Sequence, residues 1–447
     1  MQEPMADQIN SNVPAPDKVR TVRIDVPVLA RVEGEGALHL RIRRDEIEEL
    51  TLQIYEPPRL FEKALEGRSY EEVPDMVARI CGICPVAYQI SAVNALENAF
   101  QIEVDPWVQA MRRALYCGEW IESHCLHIHL LAAPDFFGFE SAIEMSREHP
   151  DVIRRGLKLQ ALGNDLIRLF GGRSVHPVSV RVGGFHRAPA VDEVAALRER
   201  LHAALVDSEA LVRWTASIRL PEDPQRFLSV AMRNHEEYPI HRGYIGADDG
   251  LALEAAQFEH HFTQQHVAHS TALYSQYRGS AYLVGPLARL NLNRDQLPIA
   301  LQQLLRDAGL RLPSSNMFNS IVARAIEVHY AIGEAARLLD NYMLPKSPVA
   351  TVTARAGVGY GCSEAPRGLL WHRYRVDARG QILEASIIPP TSQNQARIEQ
   401  DLRLSLMAFG LDHDDEQLRL HCEKVIRNYD PCISCATHFL RLRAERV

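Results

Sequence analysis

The 447-residue chain is 46% hydrophobic and 24% charged, the balance of an ordinary water-facing globular protein. Its 49 basic against 57 acidic side chains leave a net charge of −8, which excludes the basic footprint of a nucleic-acid binder. Eight cysteines are too few for a disulfide scaffold, and no apolar run reaches the roughly 18 residues that cross a bilayer.

Met1–Arg20 is polar, carries three prolines and is expected to form a flexible arm rather than a signal peptide. Val22–Val28 and Ala37–Ile42 are predicted strands, rich in β-branched residues. Between them, Arg31-Val32-Glu33-Gly34-Glu35-Gly36 is predicted to make a tight turn. The plain reading of Glu33 is a solvated hairpin carboxylate. Glu46–Ile54 is a further strand, and Arg59–Leu65 opens a short helix after Pro57-Pro58.

Val73–Ile80 leads to Cys81-Gly82-Ile83-Cys84-Pro85. Pro85 suits the first turn of a helix, and Val86, Ile90, Val93 and Leu96 follow at helical spacing. Cys81 and Cys84 are therefore expected at a helix N-terminus, where free N–H groups and the dipole favour thiolate. Trp107–Ala133 is helical in pattern and carries Glu119, Glu122, His124, His127 and His129. His124 and His127 are one turn apart and could share a metal; polar core groups are the favoured reading. A second long helix, 141–170, is expected to kink at Pro150. Val191–Ile218 is strongly helical, 221–284 is a mixed insertion, and Leu297–Ala308 and Phe318–Leu344 are helical again.

Gly357–Gly368 is dense in glycine and is expected to be a loop before a strand at Leu369–Val376. Its Arg367 is either a long side chain reaching a bound group or a solvated hairpin residue. Ile387–Asn394 is expected to be a rigid loop led by Pro389-Pro390, and Asp412–Arg427 a helix. That helix delivers Asp430-Pro431-Cys432-Ile433-Ser434-Cys435-Ala436-Thr437-His438. The fold expected is α+β and predominantly helical, with a long-helix core and small N-terminal and peripheral β-sheets. One large catalytic domain spans 21–438: a β-rich start at 21–56, a helical core at 73–218, the mixed insertion at 221–296 and a helical and loop part at 297–438.

The two Cys-x-x-Cys turns are 432 − 84 = 348 residues apart. Together they offer four soft thiolates, a complete ligand shell. A structural zinc site fits the donors, but zinc ribbons keep their pairs close in sequence. A thioredoxin-like dithiol needs a compact βαβ context that neither pair has. A redox metal centre joins distant elements and surrounds the thiols with acid–base groups, and Asp430, His438 and Arg367 are candidates for that surround. Spacing alone does not identify the metal.

Arg79-x-Cys81-Gly82-x-Cys84 and Asp430-Pro431-Cys432-x-x-Cys435-x-x-His438 resemble the two signature motifs of the nickel–iron hydrogenase large subunit. The resemblance covers most of the chain. Arg31-Val32-Glu33-Gly34, Arg59-Leu60-Phe61-Glu62, Glu364–Gly368 and Pro390–Asn394 match further family motifs in order. The wording is most similar to the cytoplasmic, cofactor-linked, NAD(P)-coupled branch.

The resemblance implies the following roles. Cys81 and Cys432 bind nickel terminally, and Cys84 and Cys435 bridge nickel to an iron that carries carbon monoxide and cyanide. Glu33 takes a proton from a terminal thiolate, most naturally Cys432. Glu62, His438 and the carbonyl of Ile387 hold magnesium or a similar hard cation. Arg367 stands over the open position between the metals, paired with Asp430, and Pro366, Arg367 and Thr391 cradle the diatomic ligands. Heterolytic splitting of H2 needs a Lewis acid and a base close together, and these residue types supply the base.

This sequence departs from the family pattern at Leu60, where glycine is usual, at Tyr88, where a histidine is usual, and at Ser123, where many relatives have aspartate. The Tyr88 exchange is expected to remove a polar neighbour of the ligands, and Ser123 leaves Asp430 as the carboxylate for Arg367. Phe439–Val447 is a tail of the kind cut off after metal insertion. The remaining thiols, Cys117, Cys125, Cys362 and Cys422, are scattered. A small iron–sulfur subunit is therefore implied, with flavin- and NAD(P)-binding subunits, a maturation endopeptidase, nickel-insertion factors and a cytoplasmic location. An H2 sensor, a cysteine-free relative such as the quinone-site subunit of respiratory NADH dehydrogenase, and a zinc-stapled scaffold are the competing readings; the four cysteines argue against the second.

Overall fold

The computed structural model describes residues 21–437. The expected arm at 1–20, His438 and the tail at 439–447 lie outside the described residues. β1 (Thr21–Val26), β2 (Gly36–Arg43) and β3 (Glu46–Ile54) form an antiparallel sheet in sequence order. Burial alternates along β1, with Val22, Ile24 and Val26 facing inward, as period-two packing requires. Arg44 and Asp45, with φ of 51° and 60°, make the two-residue turn between β2 and β3, and positive φ at both positions suits the twist of the flanking strands.

The helical core holds α1 (Pro85–Phe100), α2 (Pro106–Leu126), α3 (Pro150–Gly171), α4 (Val191–Ser217) and α5 (Ser320–Asp340). α2 runs through the middle, in contact with α1, α3 and α5, and is buried on nearly every side. The helix expected over 107–133 is interrupted by a π-helical turn at His127–Ala132. The wider turn leaves the Leu131 carbonyl to accept a 2.7 Å hydrogen bond from Arg31 Nη1. The helix expected over 141–170 is two helices, Ala142–Glu148 and α3, separated at His149, with Pro150 as the first residue of α3.

Gly357–Ala365 is a strand rather than the loop its glycines suggested. It is β4, and with β5 (Gly368–Val376) and β6 (Ile382–Ile388) it forms a second antiparallel sheet. The glycines serve packing: a Cβ on Gly359 would lie 1.9 Å from the Ala95 carbonyl oxygen, and one on Gly361 2.3 Å from that of Ser91. β4 is thereby laid directly on the backbone of α1. The Pro389-Pro390 stretch is likewise not a loop. Pro390 is the first residue of α6 (Pro390–Phe409), which carries Thr391, and α7 (Asp415–Tyr429) follows.

The region 221–284 is mixed, as expected: a three-stranded sheet and the hairpin Phe262–Val267/Ser270–Tyr277. Its aromatic core of Phe258, Phe262 and Tyr282 is shared with Trp371 of β5, so the region packs onto the second sheet rather than standing apart. A helix at Pro286–Asn293 leads out of it.

Candidate metal centre

The first cysteine pair sits where a short 3₁₀ turn, Ala78–Ile80, gives way to α1, with Cys84 as the cap residue. The expectation of a helix N-terminus holds, but its free N–H groups are spoken for. Glu119 of α2 accepts from Val86 N at 2.6 Å and Ala87 N at 3.0 Å. The Ile83 N–H reaches a sulfur, that of Cys81, at 3.3 Å.

The second pair follows Asp430, which ends α7 in the left-handed conformation with φ 52°. Cys432 pairs with Glu33 as an isolated parallel bridge, and Ile433 N donates to the Glu33 carbonyl at 2.9 Å. Thr391 Oγ1 accepts from Cys432 N at 3.0 Å. Gly34 has φ 87°, and a Cβ there would lie 2.7 Å from Ile433 Cβ, so glycine is required where the two ends of the chain meet. Arg59 closes the far side through the carbonyls of Ile80 and Ser434, one beside each cysteine pair.

The four sulfurs converge in one buried pocket. Cys81 Sγ is 3.3 Å from Cys432 Sγ, Cys84 Sγ 3.5 Å from Cys435 Sγ, and all four lie within 4.8 Å of one another. All four thiols are free. A buried pocket of soft donors at this spacing suits a thiophilic metal. Hydrogen bonding from Cys432 pulls the Cys81 thiol well down, while burial pushes Cys432 and Cys435 up. A cation among the sulfurs reverses that penalty, because a metal-bound thiol is deprotonated outright.

Glu33 is not a solvated hairpin carboxylate. Its Oε2 accepts from Cys432 Sγ at 3.1 Å and from Ser434 N at 3.1 Å. Burial raises its pKa, with the Cys81 charge adding to the effect. Arg367 and Pro366 form the two-residue turn between β4 and β5, since Ala365 pairs with Gly368. Arg367 is thus a hairpin residue, yet only 3% exposed. Its Nε donates to the Asp430 carbonyl at 2.6 Å and its Nη2 to Asp430 Oδ1 at 3.0 Å. Burial opposes its charge, but Asp430 and the thiols hold it firmly protonated. Arg367 Nη1 and Asp430 Oδ2 are buried without a partner.

Glu62 Oε1 accepts from Ile387 N at 2.7 Å. The N–H and C=O of one strand residue leave from the same edge, so the Ile387 carbonyl projects on the Glu62 side of β6. The Thr437 carbonyl accepts from Arg59 N, three residues before Glu62. His438, the expected third partner of that group, lies outside the described residues.

The histidines of α2 and its π turn hold other partners. His124 Nε2 lies 3.0 Å from Glu327 Oε2, and His127 Nε2 2.7 Å from the Arg427 carbonyl. Among the described residues, the four cysteines are the one group of three or more metal-ligating side chains that converge.

Three positions had no role on sequence grounds. Glu119 caps α1 beside Cys84. Glu122 is buried, and burial pushes its pKa up to about 8 against the opposing charge of Arg367. Arg289, fully buried, donates to the carbonyls of Ala365 and Pro366 at 2.8 and 3.0 Å and pairs with Glu327 and Glu364, so it holds the Arg367 turn. Nothing in spacing or periodicity flags a contact between residues 77 apart, such as Arg289 and Pro366.

A family model described as nickel-dependent hydrogenase matches residues 59–152 and 222–438. The chain belongs to the nickel-dependent hydrogenase family. It is 34% identical to sulfhydrogenase 1 subunit alpha of Pyrococcus furiosus over 94% of this chain and 98% of that protein. Sulfhydrogenase 2 subunit alpha of the same organism is 32% identical over 94% of this chain and 100% of that one. Among solved structures, an NAD+-reducing [NiFe]-hydrogenase in its H2-reduced state superposes with a TM-score of 0.85 at 25% identity, covering 93% of this chain and 99% of the other. The chain is therefore a hydrogenase large subunit, an oxidoreductase acting on H2, and the predominantly helical fold expected from its motifs is the fold of that family. No helix among the described residues is long and apolar enough to cross a membrane.

Proposed function

We propose that H2 is cleaved at the four-thiol pocket, with Cys81 and Cys432 as terminal nickel ligands and Cys84 and Cys435 as bridges to iron. The observation that carries this reading is the convergence of four buried sulfurs from the two ends of the chain within 4.8 Å, with a carboxylate 3.1 Å from one of them. The bound metals supply the Lewis acid that polarises H2. Cys432 Sγ takes up the proton and passes it to Glu33 Oε2. The raised pKa of Glu33 suits it to hold a proton nearer neutrality than a solvated glutamate does. Asp430 fixes the Arg367 guanidinium by a bidentate contact, and Arg289 fixes the turn that carries it.

Iron carries carbon monoxide and cyanide in this proposal, cradled by Pro366, Arg367 and Thr391. Magnesium or a similar cation is held by Glu62, the Ile387 carbonyl and His438. Electrons pass to a small iron–sulfur subunit, because Cys117, Cys125, Cys362 and Cys422 are separate buried thiols with no cluster among them. Flavin- and NAD(P)-binding subunits take them onward, in keeping with the NAD+-reducing enzyme that this fold superposes on. Maturation uses nickel-insertion factors and an endopeptidase acting after His438, in the cytoplasm.

Elemental analysis and infrared spectroscopy of protein from its native host test the centre. One nickel and one iron per chain, with bands in the metal-bound cyanide and carbonyl region, are expected. Zinc alone, with no such bands in protein lacking the 439–447 tail, refutes the reading.

A further inference from the structure

The π turn at His127–Ala132 and the short helix after it, Ala133–Phe137, anchor both ends of the chain at one place. From the N-terminal side, Arg31 donates through Nη1 to the Leu131 carbonyl at 2.7 Å and through Nη2 to Asp135 Oδ1 at 2.5 Å. From the C-terminal side, Arg427 of α7 donates through Nε to Asp135 Oδ2 at 2.6 Å and through Nη2 to Asp135 Oδ1 at 2.9 Å. The Arg427 carbonyl lies 2.7 Å from His127 Nε2, and Arg427 Nη1 reaches the Ala30 carbonyl at 3.1 Å. π turns are rare and recur at functional sites.

Two guanidiniums thus share one buried carboxylate. Arg427 has a second carboxylate, Glu423 at 3.1 Å, but among the described residues Asp135 is the one acid paired with Arg31. The shared carboxylate draws the two cations together. Without its charge they would repel each other where water screens little. Burial and the Arg427 charge already work against the charge on Arg31. The arms of this cluster lead straight to the thiol pocket. Arg31 is two residues before Glu33, and Arg427 is five before Cys432. Between Arg31 and Glu33, and between Tyr429 and Cys432, the chain is irregular, so neither arm is held by a helix or strand of its own.

We propose that Asp135 is a positioning residue: by neutralising Arg31 and Arg427 together it keeps the two arms in register, so that Glu33 stays within hydrogen-bond reach of Cys432 Sγ and Ser434 N. Its consequence for turnover rests on the reading of Glu33 as acceptor of the Cys432 proton. Asp135 itself touches neither residue.

Amide hydrogen exchange on the full chain, purified without metal, reads the join directly, because Ile433 N donates to the Glu33 carbonyl and Ser434 N to its carboxylate. Asp135→Asn should speed exchange at Ile433 and Ser434 by about 10-fold or more, while α1 keeps its protection. Arg31→Gln should act in the same direction. The double variant should exchange no faster than Asp135→Asn alone, since both changes remove one anchor. Glu97→Gln breaks a different buried pair, with Arg112 at 2.8 and 2.6 Å, and should leave Ile433 and Ser434 protected even as it lowers Tm. Unchanged exchange at these two amides, additive effects, or equal loosening in Glu97→Gln overturns the proposal. If Asp135→Asn does not fold, as judged by near-ultraviolet circular dichroism, unchanged exchange in Arg31→Gln overturns it equally. In the matured enzyme, Asp135→Asn should lower kcat for H2 uptake by about 10- to 100-fold, with nickel content and the KM for H2 unchanged. Faster exchange with an unchanged kcat supports the anchor and refutes the proton role of Glu33, so the two failures are told apart.

Discussion

The two Cys-x-x-Cys turns have the same spacing and reach the same pocket, yet they are positioned by different physics. Cys81 and Cys84 are set by local structure: a 3₁₀ turn, a proline at the first helical position and a 16-residue helix beneath. Cys432 and Cys435 stand on a four-residue helical turn after a left-handed aspartate. They are held by Glu33, Thr391 and Arg59, groups from three other segments. The first half of the site stands on its own helix, braced by Glu119 and Arg59, and the second is held almost wholly by groups from distant parts of the chain.

Cys432→Ser breaks this arrangement most severely. Replacing one soft donor should abolish nickel retention and H2 uptake together, read by elemental analysis and hydrogen consumption. Glu33→Gln is a finer cut. It keeps the size of the side chain and the backbone bridge to Cys432, so metal content should persist. H2 uptake should fall by about 100-fold or more, the usual worth of a positioned acid–base group. Loss of metal along with activity would make Glu33 a structural strut instead.

Glu122 tests a buried carboxyl on α2. Its folded pKa of about 8 lies above the ordinary 4.5, so the folded state holds a proton that the unfolded state has lost between those values. Stability of the metal-free protein should be greatest below about pH 4.5 as far as this group is concerned, and should decline as pH rises to about 8. Glu122→Gln should flatten that decline, by an amount on the order of a few kcal/mol, in urea unfolding measured across the range. An unchanged slope would mean that the carboxyl is ionised and paired.

Thr391→Val gives the smallest effect and the sharpest contrast. It leaves the Cys432 N–H without its acceptor, at a cost of about 1–3 kcal/mol. Local opening should increase at Cys432 and Cys435 but not at Cys81 and Cys84. Thiol alkylation followed by peptide mass analysis would register the difference.

The same division explains what was legible in the sequence. The first sheet, α1 and the four cysteines follow from local pattern and spacing. β4 was hidden because Gly359 and Gly361 have the look of turn residues, whereas their lack of side chains serves contact with α1. α6 was hidden because Pro389-Pro390 has the look of a break, and its second proline opens a helix. Glu33 and Arg367 were identified through family motifs. Spacing could not have found them, because their partners Cys432 and Asp430 are 399 and 63 residues away. The supporting roles of Glu119, Glu122 and Arg289 were invisible for the same reason: each acts on an element far from it in the chain.

The bridge between Glu33 and Cys432 also fixes a timetable. A ribosome adding about 5–20 residues each second finishes Cys84 roughly 20–70 s before it reaches Cys432. Throughout that interval the first two thiols exist without the other two. The segment that completes the ligand set is synthesised long after the first pair, so a nickel ion that arrives early finds half a binding site and one that arrives late finds a whole one.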